Sequence, residues 1–173
     1  MVYAAFRDLH GARLHGFGLI VTLGDRRLAA RITGDALVAG AARAGELRHP
    51  ERAAAWLRHR VLDRSAHVRR RSSSAVSPGA TVALRDLGLT EPAVAALAGL
   101  SARERAALVA DAIEGLDRRD IATIVGADGS RLDRLISRAR ERYLNGAVHA
   151  LRGDPPAGPT VDRIHDVAER SLR

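Results

Sequence analysis

Between Asp117 and Leu144 the chain reads DRRDIATIVGADGSRLDRLISRARERYL. Ile121, Ala122, Ile124 and Val125 share one face of a helix, and Leu132, Leu135 and Ile136 share one face of the next. Gly126 lies between them, where a tight turn needs backbone freedom. Two short amphipathic helices joined this closely bury their apolar faces by folding back on one another, which is a helix-turn-helix. The second helix would present Ser130, Arg131, Asp133 and Arg134 at its start and Arg138, Arg140 and Arg142 further along. In a DNA-reading pair the first of these side chains approach base edges and the later ones meet phosphates. The competing reading is a helical hairpin whose charged face is merely solvated.

The rest of the chain has the same period. Hydrophobic residues make up 46% of it but aromatics only 3%, so Ala, Leu and Val must fill the core. That palette suits close-packed helices, and no alternating β-branched run argues for strands. The expected fold is all-α. A first helix is predicted over 3–23, with Phe6, Leu9, Leu14, Phe17, Ile20 and Val21 as its stripe, and with Gly11, Gly16 and Gly18 marking a break or a close helix contact. A second runs from Gly24-Asp25 to about Gly45, and His49-Pro50-Glu51 opens a third that carries Trp56, Leu57, Val61 and Leu62. Trp56 is expected in the core.

SSSAVSPGA, residues 72–80, is small, polar and broken by Pro and Gly, and reads as a flexible linker. Short helices over 81–87 and 90–100 follow, the latter with Thr90 as cap and Pro92 in its first turn. Ser101-Ala-Arg-Glu104 is a capping box for a helix to about Glu114. Asp128 or Ser130 would cap the last long helix, which runs to about Leu151. Residues 153–159 then break the chain before an amphipathic helix over 160–172 bearing Val161, Ile164, Val167 and Leu172. The expected organisation is a helical domain over 1–71, the linker over 72–80, a helix-turn-helix domain over 81–151, and a tail over 152–173.

Formal net charge is +8, and all 28 basic residues are arginine. The Arg guanidinium is a planar fork matched to phosphate and to guanine edges. Between Arg58 and Arg71 six arginines stand against one aspartate, giving a solvated helix face or a phosphate-binding one. Without Cys there is no disulfide or Cys-based zinc site. The seven histidines lack metal-ligand spacing, and neither Ser72–Ser74 nor GADG (126–129) has the surroundings of a nucleophile or a phosphate loop. A non-enzymatic, cytoplasmic protein is expected, with no cofactor, no metal and no membrane span.

The segment Leu100 to Leu144 resembles region 4 of the extracytoplasmic-function sigma factors of bacterial RNA polymerase, within the sigma-70 family. The residues that carry the resemblance are Leu100, Ser101 and Arg105, then Glu114-Gly115-Leu116, Ile121-Ala122, Gly126 and Ser137-Arg138-Ala139-Arg140, in order and without a gap. The N-terminal half is similar to region 2 of that family. Phe6-Arg7-Asp8-Leu9 matches its first helix, Leu23-Gly24-Asp25 with Leu28-Ala29 the next segment, and His49-Pro50-Glu51-Arg52-Ala53 with Ala55-Trp56-Leu57 the entry to its last helix. The family's polymerase-contacting run corresponds to Arg31-Ile32-Thr33-Gly34-Asp35, where Asp35 keeps a negative charge and Arg31 reverses one.

The resemblance implies promoter recognition by a dissociable subunit of RNA polymerase. Its partners would be promoter DNA, core RNA polymerase and an anti-sigma or other regulatory protein. Ser130, Arg131, Asp133, Arg134, Arg138 and Arg140 would lie on the upstream promoter element. Arg58, Arg60 and Arg64 would lie along the downstream element, and Asp35 with Arg31 would face the polymerase. A degenerate relative stands as the alternative, acting as a DNA-binding regulator or protein-interaction module without initiation activity.

Overall fold

The computed structural model describes residues 2–47, 49–69 and 78–153. The tail helix expected over 160–172 and most of the 72–80 linker lie outside the described residues. Within them the chain is α-helical, with eight helices and no strand.

Helices α1 (Val2–Val21), α2 (Arg26–Ala42) and α3 (Pro50–Arg69) form the N-terminal half. The glycines of α1 do not break it; Gly18 instead lets α2 come close. A Cβ there would sit 3.1 Å from Thr33 Oγ1 and 3.7 Å from Ala29 Cβ. Leu23 and Gly24 take positive φ to end α1, and the Asp25 carboxylate accepts from the Leu28 N–H to start α2. Leu14, Phe17, Val21, Ile32, Leu37, Leu57 and Val61 are buried together between the three helices.

Helices α4 (Pro78–Asp86), α5 (Glu91–Ala98), α6 (Ala102–Leu108), α7 (Arg118–Val125) and α8 (Gly129–Gly153) form the C-terminal half. Residues 78–80, expected in the linker, are the first turn of α4; Pro at a helix start has no N–H to leave unpaired. The Ser101–Glu104 capping box is formed in both directions. The α6 helix widens into a π-turn over Val109–Ile113 before Glu114.

The two halves share one core. Its buried cluster passes from Phe17, Val21 and Leu57 to Leu84, Leu108, Ile121, Ile124 and Tyr143 without a gap. Polar ties cross the same boundary. Arg105 on α6 is fully buried and donates from Nε and Nη2 to the Val21 carbonyl, at 3.2 and 2.8 Å. Its Nη1 donates to the Leu97 carbonyl at 3.2 Å and to that of Leu100. Gly24 approaches α4 so closely that a Cβ would lie 2.1 Å from the Ala80 carbonyl oxygen. No helix among the described residues is long and apolar enough to cross a membrane.

Candidate nucleic-acid interface

The site is built on α7 and α8. Asp117 caps α7 by accepting from the Asp120 N–H at 2.8 Å, and Ile121, Ile124 and Val125 bury its apolar face. Gly126 ends it in the left-handed conformation, at φ 61° and ψ 43°, where a Cβ would be strained. Three consecutive carbonyls at this helix end are satisfied from outside it. His59 of α3 bonds through Nδ1 to Ile124 O at 3.1 Å. Arg103 of α6 donates to Val125 O at 2.8 Å and to Gly126 O at 2.9 Å. A guanidinium at a helix C-terminus also opposes the helix dipole, so the turn between α7 and α8 is held electrostatically as well as by packing.

Leu132, Leu135, Ile136, Ala139, Tyr143 and Ala147 are the buried stripe of α8. Its other face exposes Ser130, Arg131, Asp133, Arg134, Ser137, Arg138 and Arg140. Arg131 and Arg134, in the first turns, make no ion pair with any described residue. Asp133 is paired with Arg118 of α7 across the mouth of the turn. Both partners are more than half exposed, so the pair contributes about 0–1 kcal/mol and leaves Arg118 available to an incoming phosphate.

Further along α8 the arginines are engaged by the protein itself. Arg142 donates to both Glu104 oxygens at 2.9 Å and to the Gly99 carbonyl at 2.6 Å. Arg138 Nε lies 3.4 Å from the same carboxylate, and Arg140 pairs with Asp111 at 2.7 Å. Glu104 is thus a buried hub. Burial alone would push its carboxyl up. Hydrogen bonds from the Ser101 backbone and hydroxyl, together with Arg142, outweigh that and hold it below the usual carboxylate range. Sequence spacing showed Glu104 as a helix cap; its second role as anchor of α8 depends on a residue 38 positions away.

The structure scatters the remaining candidates. Arg58, expected along DNA, is buried instead: it is 6% exposed and ion-paired with Glu114 at 2.7 Å, because docking of the halves carries both inside. Arg60 is half-buried near Asp63 and the Trp56 ring, whereas Arg64 is exposed on α3. Helix α3 packs along α7 and α6, so its basic residues run beside the helix-turn-helix. Arg31 and Asp35 are exposed on α2. Trp56 is only half-buried: it packs against the core on one side and lines two surface clefts on the other. Arg103, Arg118 and Arg105 were not legible as site or scaffold residues, since their partners lie far along the chain.

A bihelical unit with a left-handed glycine turn, a buried stripe and a basic face at the start of its second helix has the geometry of a helix-turn-helix. Residues 90–142 match the family model for sigma-70, region 4. The match runs from the cap of α5 into α8, so over these residues the chain is similar to a sigma region 4 domain. No curated protein and no solved structure matches the chain.

Proposed function

We propose that the protein is a sigma factor of the extracytoplasmic-function type, a non-catalytic subunit that brings core RNA polymerase to promoters. The observation that carries this reading is the region 4 match over residues 90–142, together with the free arginines at the start of α8. Arg131 and Arg134 would hydrogen-bond base edges in the major groove, where a bidentate guanidinium pairs with guanine O6 and N7. Ser130 and Arg138 would hold phosphates beside them, and Asp133 would either keep Arg118 or accept from a cytosine amine. Arg140 would reach the backbone only by leaving Asp111. The N-terminal half would act as region 2, with Asp35 and Arg31 toward the polymerase and with Arg60 and Arg64 toward downstream DNA. An anti-sigma protein would be a natural regulator of such a subunit.

A second reading is favoured by the shared core. Two halves fixed together by Arg105 and by the Arg58–Glu114 pair would suit a DNA-binding regulator that works as one body, without initiating transcription. Purified protein mixed with core RNA polymerase separates the two. Co-elution with specific transcripts from a promoter library is the expected result. Salt-sensitive DNA binding without co-elution would overturn the initiation role and leave the regulator.

A further inference from the structure

Among the arginine–carboxylate pairs of α8, one is built unlike the others. Arg138 and Arg142 meet Glu104, and Arg140 meets Asp111; those carboxylates belong to α6 and its π-turn and are only 4% and 18% exposed. They hold α8 to the protein and are shielded from a ligand. Asp133 is the reverse case. Its carboxylate stands on α8 itself and is 60% exposed, while its partner Arg118 comes from α7 and is 57% exposed. Among the described residues neither makes a second ion pair. Asp133 also lies in the first turns of α8, exposed beside Ser130, Arg131 and Arg134. Glu141, the other carboxylate on the exposed side of α8, is eight residues further on, roughly 12 Å along the axis.

We propose that Asp133 is a specificity-determining residue that selects a cytosine, and that Arg118 leaves it for a phosphate when DNA binds. The inference rests on the reading of α8 as a DNA-reading helix and goes beyond it by fixing one base and the partner exchange that exposes its reader. The exchange costs little, because an exposed pair contributes little and a phosphate offers Arg118 the same charge-assisted bond. The released carboxylate then needs a donor, since an ionised carboxylate can only accept. In the major groove cytosine presents its N4 amine, whereas thymine O4 and guanine O6 and N7 are acceptors that repel a carboxylate. Adenine sets its N6 amine between two acceptors, its own N7 and the paired thymine O4; cytosine N4 has an acceptor on one side only. Cytosine is therefore the base that a carboxylate at this position favours.

The test is selection from a random duplex pool by the full chain, followed by titration of the selected duplex over a range of salt. The expected motif contains a cytosine whose replacement by thymine weakens binding about tenfold. Asp133→Ala should erase the preference at that position alone. Asp133→Asn should move it to adenine, because an amide pairs with adenine N6 and N7 together. Arg118→Gln should lower affinity alike for all sequences and make the log–log salt dependence shallower by about one. Both side chains are more than half exposed, so circular dichroism should show the fold kept in all three variants. A motif enriched by the native chain and kept at every position by Asp133→Ala would overturn the proposal while leaving α8 as a reader of DNA. An unchanged salt dependence in Arg118→Gln would overturn the exchange. No enrichment by the native chain would overturn the reading of α8 itself, and this inference with it.

Discussion

Glu104 shows how one side chain can carry several parts of a fold. It caps α6, receives Arg142 on both oxygens and faces Arg138, so one carboxylate both starts α6 and helps to anchor α8. Because its folded pKa is lowered, its contribution is complete above the unfolded carboxyl value of about 4.3 and is lost as pH falls through the lowered folded value. Thermal unfolding measured from neutral pH down to about pH 3 should therefore show a decline in Tm, and Glu104→Gln should flatten that decline. The same variant should cost about 1–2 kcal/mol at neutral pH, from the weakened cap and the lost ion pair with Arg142. Arg105 is the counterpart on the cationic side. Arg105→Ala removes the guanidinium donor from the Val21 and Leu100 carbonyls, while that of Leu97 keeps the Leu100 N–H, and should destabilise by about 3 kcal/mol or more, read by denaturant unfolding. The Ser101-x-x-Glu104 spacing was readable in the sequence because a capping box is local. The burial of Arg105 was not, since a cation enters a core only when carbonyls from distant helices converge on it.

At the level of helices, the turn between α7 and α8 concentrates the constraints. Gly126 holds a left-handed backbone, so Gly126→Ala should cost about 1 kcal/mol and, on the proposed function, weaken DNA binding more than it lowers stability, as α8 loses its fixed angle. Parallel chemical unfolding and DNA titration would separate the two effects. On α8 itself, Arg131→Ala and Arg134→Ala should each reduce affinity for the preferred site by about 1–3 kcal/mol with unchanged Tm. Helix identities were legible here because the apolar stripes of α7 and α8 repeat at helical spacing and the caps stand at their ends. The occupation of Arg140 and Arg142 by Asp111 and Glu104 was not, because residues 29 and 38 positions apart meet only through packing of α8 on α6. A basic stripe on a sequence thus overstates the basic surface that remains for DNA.

For the whole molecule, the boundary between the halves is the feature that sequence could not supply. Composition pointed to a break near residues 72–80, and the family pattern fell into two blocks, yet both blocks contribute to a single core. The Arg58–Glu114 pair lies within that boundary, with Arg58 Nε and Glu114 Oε2 buried and lacking a hydrogen-bond partner. Such a pair costs much desolvation for one good contact. Glu114→Leu alone should destabilise by about 3 kcal/mol, whereas Arg58→Met with Glu114→Leu should recover most of that loss; denaturant unfolding of the four-member cycle measures it. The same variants should alter how the halves unfold together, since they remove an ion pair that crosses the boundary with Arg58 buried and Glu114 largely so. The central claim, that α8 reads DNA sequence, is tested most directly by selection from a random duplex pool at fixed moderate salt. Enrichment of one motif by the native chain, lost with Arg131→Ala and Arg134→Ala together, is the predicted result. Retention of the same motif by the double variant, or no enrichment by the native chain, would contradict it.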